Sequence, residues 1–284
     1  MKSSEQVLPE LRTERTANTA WTELVRRLIF HGDSKAKPRQ IKTREIVGCQ
    51  SSFAMRWPVV TEPRRKLGLR FLAAEAAWIL SGDNRVSTIT PFSKIIHTFS
   101  DDGVRFNGAY GPRVIDQLGY VVDSIAQDQD TRQAVMTIWR PNPRPSKDIP
   151  CTVAVQWLVR DGVIHCVDTM RSSDAWLGVP YDWFNFSMLT LYIALMLREL
   201  HGISLQLGTM FFNAGSQHLY ETNYSVAFNT VITRPDFEDL SAAPPALTTD
   251  MFEDFEDLLP HLWALANKDK HGLRSDFLAH FVKD

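Results

Sequence analysis

The chain has 284 residues, 44% of them hydrophobic and 23% charged, with a formal net charge of −2. That length provides for a sizeable core, and the near-neutral balance excludes a broad electrostatic nucleic-acid surface while leaving room for a small anion held by local arginines. Cys49, Cys151 and Cys166 are an odd set without C-x-x-C spacing, which points to a reducing, cytoplasmic setting and to neither a disulfide framework nor a zinc knuckle.

The N-terminal stretch lacks the apolar run of a signal peptide. "NTAWTELVRRLIFHG" places Trp21, Leu24, Val25, Leu28 and Ile29 at helical spacing, with Gly32 as its stop. A basic, proline-containing loop, "DSKAKPRQIKTRE", follows. A second helix covers "LRFLAAEAAWILSG"; residues 84 to 112 read as irregular, and "VIDQLGYVVDSIAQD" as a third helix. "TRQAVMTIW" reads as a strand and "RPNPRPSKDIP" as a loop. "TVAVQWLVRDGVIHCVDTM" is a hairpin turning at Asp161-Gly162, and "MRSSD" follows its second strand. The apolar run from Trp183 to Leu197 is interrupted by Asn185, Ser187, Thr190 and Tyr192 and is short for a membrane span, so it predicts a buried helix. "SLQLGTMFFNAGS" predicts a strand entering a loop, and "QHLYETNYSVAFNTVI" a further helix. From about residue 234 the tail is acidic and Pro/Ala-spaced, then helical. No repeat or linker divides the chain, so one α+β domain over 1–284 is the economical expectation.

Four places could carry chemistry. Cys151 follows Pro150 where a loop enters the hairpin, a junction that can present a thiol to a cleft; a buried inert cysteine is the plainer reading. Glu75 sits among Ala73, Ala74, Ala76 and Ala77, without a polar stripe to belong to. A carboxyl so placed has a raised pKa and can pass protons. Arg171 with two serines can grip a phosphate, or simply form a solvated turn. His218 and Tyr220 follow a glycine-containing stretch and could equally start a helix.

Taken together, the cysteine after proline, then "MRSSDAWLGVPYD", then "GSQHLY", with "AAEAAWILSGD" and "NGAYG" upstream, resemble the thymidylate synthase family over roughly Trp21 to Val231. The resemblance implies an α+β fold around a twisted mixed sheet flanked by helices, and a homodimer packed sheet to sheet. It implies a pyrimidine nucleoside monophosphate substrate and 5,10-methylenetetrahydrofolate as one-carbon donor, with no metal, no membrane and no required nucleic acid. By position, Cys151 matches the nucleophile that adds to C6 of the base, Glu75 the proton-handling glutamate, and Tyr110 a residue that orients the nucleophile. Arg171 and Ser172 match phosphate ligands, as does Arg39 in the basic loop; Arg132 matches an arginine contributed by the other subunit. His218 and Tyr220 match residues holding the sugar 3′-hydroxyl, and Asp174 one that touches both base and folate.

The departures carry as much information. Asp182 stands where synthases have asparagine, and the same aspartate occurs in relatives that act on cytidylates. A carboxylate accepts from the cytosine amino group, and a proton shared at N3 forms a second contact. Asp182 would also serve as an N-cap for "WFNFSML". Thr152 replaces the histidine usual after the nucleophile, "NAGSQH" is closer to deoxycytidylate hydroxymethylases than to synthases, and "FLAHFVKD" lacks the apolar ending that closes over folate. Gln133 stands where a second cross-subunit arginine is usual. These features point to a CMP or dCMP 5-hydroxymethyltransferase. Alternatives are a deoxycytidylate methyltransferase, a divergent thymidylate synthase, or a catalytically silent nucleotide- or RNA-binding relative.

Overall fold

This computed structural model describes residues 15–32, 36–232 and 244–282, without the side chain of Arg39. Part of the basic loop and most of the acidic stretch after 234 therefore lie outside the described residues. A five-stranded sheet has the order β1-β5-β4-β3-β2, with β1 Thr43–Ala54, β2 Val135–Thr137, β3 Thr152–Arg160, β4 Val163–Asp174 and β5 Gln206–Tyr220. All neighbours are antiparallel except β4 and β5. Parallel neighbours need a crossover, supplied here by the 23-residue helix α5, Val179–His201.

Periodicity located the helices well. α1 runs Ala17–His31 with Gly32 as C-cap, α2 is Leu69–Leu80, and the segment after it forms only short turns, including α3, Val86–Ile89. α4 spans Gly111–Gln127, α6 Glu221–Ile232, α7 Phe255–Asn267 and α8 Asp276–Ala279. α5 is buried on nearly every side because it packs on the sheet and against α1, α2, α4 and α7. Its Trp183 stands between Phe53 and Phe212, at ring distances of 4.7 and 6.0 Å.

Four local expectations need correction. Strand β1 begins at Thr43 inside the expected basic loop and runs on through residues assigned to no element: its outward residues are mostly polar, and Gly48, in the left-handed region at φ +66°, is left out of an otherwise unshifted pairing with β5. The apolar alternation is broken at that unpaired position. The "MRSSD" stretch does not follow the second hairpin strand; it is the end of β4, paired with β5 to Asp174–His218. His218 and Tyr220 lie on β5 rather than in a helix, because β1 pairs with that strand up to Thr43–Tyr220. Asp182 is not the N-cap of α5. Pro180 lets the helix begin a turn earlier, with Gly178 as N-cap, and the Asp182 N–H bonds to the Gly178 carbonyl at 3.0 Å.

The hairpin turn is as expected, with Asp161 and Gly162 both left-handed at φ +51° and +74°. No atom lies within 4 Å of where a Cβ on Gly162 would be. Gly162→Ala should therefore cost backbone strain alone, about 1–2 kcal/mol, read as a lower urea midpoint with unchanged m-value.

Candidate active site

Cys151 stands one residue before β3, half-buried, and its carbonyl accepts from the Arg171 N–H at 2.8 Å. The Arg171 side chain fixes the two preceding residues: Nε donates to the Pro150 carbonyl at 2.9 Å and Nη2 to the Ile149 carbonyl at 3.0 Å. A guanidinium has five N–H donors, so the exposed head of Arg171 keeps donors for an anion beside the thiol. The register of β3 against β4 shifts just after Thr152, and this irregularity turns the cysteine off the ladder.

Tyr110 holds the other side. Its hydroxyl oxygen accepts from the Thr152 N–H at 3.3 Å and from Thr152 Oγ1 at 3.1 Å. Burial, then the charges of Asp182 and Cys151, push the Tyr110 pKa far above the usual phenol value. A phenol that stays protonated beside a thiolate is a hydrogen-bond donor to it.

The acids gather behind these groups. Glu75 on α2 accepts from Asn185 Nδ2 of α5 at 2.8 Å. Burial raises its pKa to about 7, with the Asn185 hydrogen bond opposing that rise. Asp182, half-buried and without a hydrogen bond to its carboxyl among the described residues, is pushed well above the carboxylate range by burial, then by Glu75 and Asp174. Asp174 Oδ1 accepts from the N–H groups of Trp176 and Leu177 at 2.8 and 3.1 Å, while its buried Oδ2 has no partner. Burial raises the Asp174 pKa, against those two N–H groups and the charges of His218 and Arg65.

His218 pairs in register with Asp174, and its ring meets Tyr220 edge-on at 5.0 Å. Ser172 sits opposite Ser216 on the parallel strand pair. One cleft edge thus holds Cys151, Tyr110, Glu75, Asp174, Asp182 and Arg171, with Ser172, His218 and Tyr220 at the adjoining strand ends. Arg132 stands apart, exposed in the turn before β2, its carbonyl accepting from Gln156 Nε2 at 2.8 Å. The Arg39 side chain lies outside the described residues.

A family model described as thymidylate synthase matches residues 19–258. The chain belongs to the thymidylate synthase family. Its members are one-carbon transferases that use methylenetetrahydrofolate on pyrimidine nucleotides. In this member two groups at the site escaped the sequence reading. In the sequence Asn185 is only a polar interruption of an apolar run, yet it is the partner of Glu75. Asp168 shares the parity of Cys166 and Met170 on β4, which signals an inward side chain, and it is completely buried with neither carboxyl oxygen bonded. Burial, then the charge of Asp182, raise its pKa far above the ordinary value. Among the described residues no group of three or more His, Cys, Asp or Glu is placed to hold a metal ion, and no helix is long and apolar enough to cross a membrane.

The Glu75 shift has a measurable sign. A carboxyl whose folded pKa is raised favours the folded state at low pH, and that contribution is lost as pH climbs from the ordinary value towards about 7. Glu75→Gln should match the parent protein near pH 4 and exceed it above pH 7 by about 2–3 kcal/mol, measured as urea unfolding at both pH values.

Proposed function

We propose that the chain is a cytidylate 5-hydroxymethyltransferase acting on CMP or dCMP, with methylenetetrahydrofolate as one-carbon donor and water as the final addend. The observation that carries the base assignment is Asp182: a desolvated carboxyl in the first turn of α5 that is not spent on capping the helix. With its pKa raised, it holds a proton to share with cytosine N3, while its other oxygen accepts from the N4 amino group. Transfer of that proton to N3 gives a carboxylate facing two N–H donors, a charge-assisted pair. Uracil already carries a proton on N3, so it cannot take up the proton and forms no charge-assisted pair: it meets the acid only as a neutral pair, and against the ionised carboxylate its O4 sets an acceptor against an acceptor.

The remaining roles follow from position. The Cys151 thiolate adds to C6, and N3 protonation by Asp182 drains the charge that this addition brings into the ring. Tyr110 donates to the thiolate before attack. Arg171 and Ser172, with Arg39, bind the phosphate, and His218 and Tyr220 the sugar. Glu75, with a pKa about 7, can both take up and return a proton near neutrality, as removal of the C5 hydrogen and addition of water require. The folate would lie against Leu177, 53% exposed beside the buried, unpartnered Asp174 Oδ2, an apolar shelf next to an acceptor for ring N–H groups. It supplies the one-carbon unit at the formaldehyde oxidation level.

Two further features support water over hydride. Thr152 is fully buried and bonded to Tyr110, where synthases usually carry histidine. Phe277 and Leu278 of the C-terminal stretch are completely buried, so these apolar groups are committed to the core and not available as a cover for folate. The decisive assay offers CMP, dCMP, UMP and dUMP with methylenetetrahydrofolate and reads product masses. Gain of CH2O on a cytidylate is expected, whereas gain of CH2 would reassign the chain as a methyltransferase.

A sheet-to-sheet homodimer belongs to the same proposal, as do a single domain over 1–284 and a cytoplasmic location. The face of the sheet away from α5 carries Gln50, Asn213, Thr169 and the 76% exposed Val47. Arg132 reaches that face beside Gln156, five residues along from Cys151 and so about 17 Å away at strand spacing. It is too far to serve its own Cys151 but can serve a partner across the face. Mixing Arg132→Ala and Cys151→Ala chains, each inactive alone, should restore about a quarter to a half of the parent activity per dimer, because one of the heterodimer's two sites is intact. Confirmed heterodimers without activity would overturn the shared site.

Asp182→Asn tests the base assignment. Losing one discriminating hydrogen bond of about 1–3 kcal/mol should move the ratio of kcat/KM for cytidylate over uridylate towards uridylate by about tenfold to a hundredfold. An unchanged ratio would remove cytosine from the proposal.

A further inference from the structure

The molecule also has cavities outside the cleft around Cys151. Two adjoining ones, of about 310 and 300 Å³, both open onto Asn107, Arg113 and Arg140, and none of the proposed nucleotide-binding residues lines either. They lie between the loop before α4 and the loop that leads to Cys151.

Arg113 is 6% exposed, and its Nη atoms donate to the carbonyls of Asn107, Gly108 and Ala109 at 2.6–3.1 Å. Its Nε is buried and has no acceptor. Arg140 and Arg144 are exposed on the same wall and form no hydrogen bond or ion pair among the described residues. Burial and the nearby Arg140 charge both lower the Arg113 pKa. Asp148, whose charge acts on Arg113, is already tied to the Gly108 N–H at 2.6 Å, and Asp101 and Asp102 line only the first cavity. Three guanidinium groups thus line one cavity whose own lining holds no acid, and the Arg140 charge acts on Arg113 there. Bringing like charges together is unfavourable unless an anion sits among them.

We propose that this double cavity binds a phosphate-bearing small molecule, its diphosphate group held by Arg113, Arg140 and Arg144. Guanidinium forks match phosphate oxygens two at a time. The faces of Trp139, Pro141 and Pro143 give the second cavity an apolar wall, and Asp101 and Asp102 give the first one acceptors for hydroxyl or amino groups. The occupant would touch the residues preceding Tyr110 on one side and Ile149–Pro150, which precede Cys151, on the other. The site is independent of which base the enzyme modifies.

The test is calorimetric titration of the full chain with pyrophosphate, and separately with ADP, after saturation with the pyrimidine nucleoside monophosphate it binds. One pyrophosphate per chain is expected, with affinity falling about tenfold or more in Arg140→Gln/Arg144→Gln. Tighter binding of ADP than of pyrophosphate would place the diphosphate on a nucleoside; the reverse order would make the free anion the ligand. Both arginines are exposed and outside the catalytic machinery, so the variant should fold and turn over as the parent does. No uptake by the nucleotide-saturated protein, or equal affinity in the double variant, overturns the proposal.

Discussion

One hydrogen bond, from Asn185 Nδ2 to Glu75 Oε2 at 2.8 Å, joins two helices whose facing surfaces are otherwise largely apolar. α2 contributes Leu72 and four alanines around Glu75, and α5 contributes Trp183, Phe184 and Phe186 around Asn185. A carboxyl in such surroundings is costly to ionise, and the amide is what keeps it from being held permanently neutral. The two opposing effects leave Glu75 at about 7. Because α5 is packed on nearly every side, Asn185 and Asp182 share a rigid scaffold, and the core sets where Asp182 and the partner of Glu75 stand.

That arrangement divides the site by solvent exposure. The acids Glu75, Asp168, Asp174 and Asp182 lie inside, where desolvation raises every pKa. Arg171, proposed above as an anion ligand, stays exposed and uses part of its fork to hold the cysteine loop. In the proposed reaction, proton transfer falls to the desolvated groups and phosphate binding to the exposed one. The same logic extends to Arg113, which spends its Nη donors on the loop preceding Tyr110 and leaves Nε over.

Much of this was legible in the sequence, for identifiable reasons. Helices α1 and α4 carry clear periodicity, α2 and α5 stand out as apolar runs, and Asp161-Gly162 adopts the left-handed pair that a tight hairpin demands. The motif around Arg171 and Asp174 identified the family because it packs several site residues into one short stretch. Strand β1 was hidden, since the unpaired, left-handed Gly48 breaks the alternation that reveals strands. The ends of β4 and β5 were read as turn and helix because polar residues there face a cleft instead of solvent, so they lack the apolar parity of a half-buried strand.

The residue types and their order were thus determined by the sequence alone: which chain this resembles, where its cysteine stands, and that an aspartate occupies the position of an amide. Only the tertiary structure decided what that aspartate is free to do. A local reading made Asp182 a helix cap, and starting α5 at Val179 rather than one turn later removed that duty. Its raised pKa comes from Glu75 and Asp174 as well as from burial. Those acids belong to separate parts of the fold, brought together by packing of α2, β4 and α5. Spacing along a chain specifies neighbours within an element; the electrostatics of a site depends on neighbours across elements, and those exist only once the core has formed.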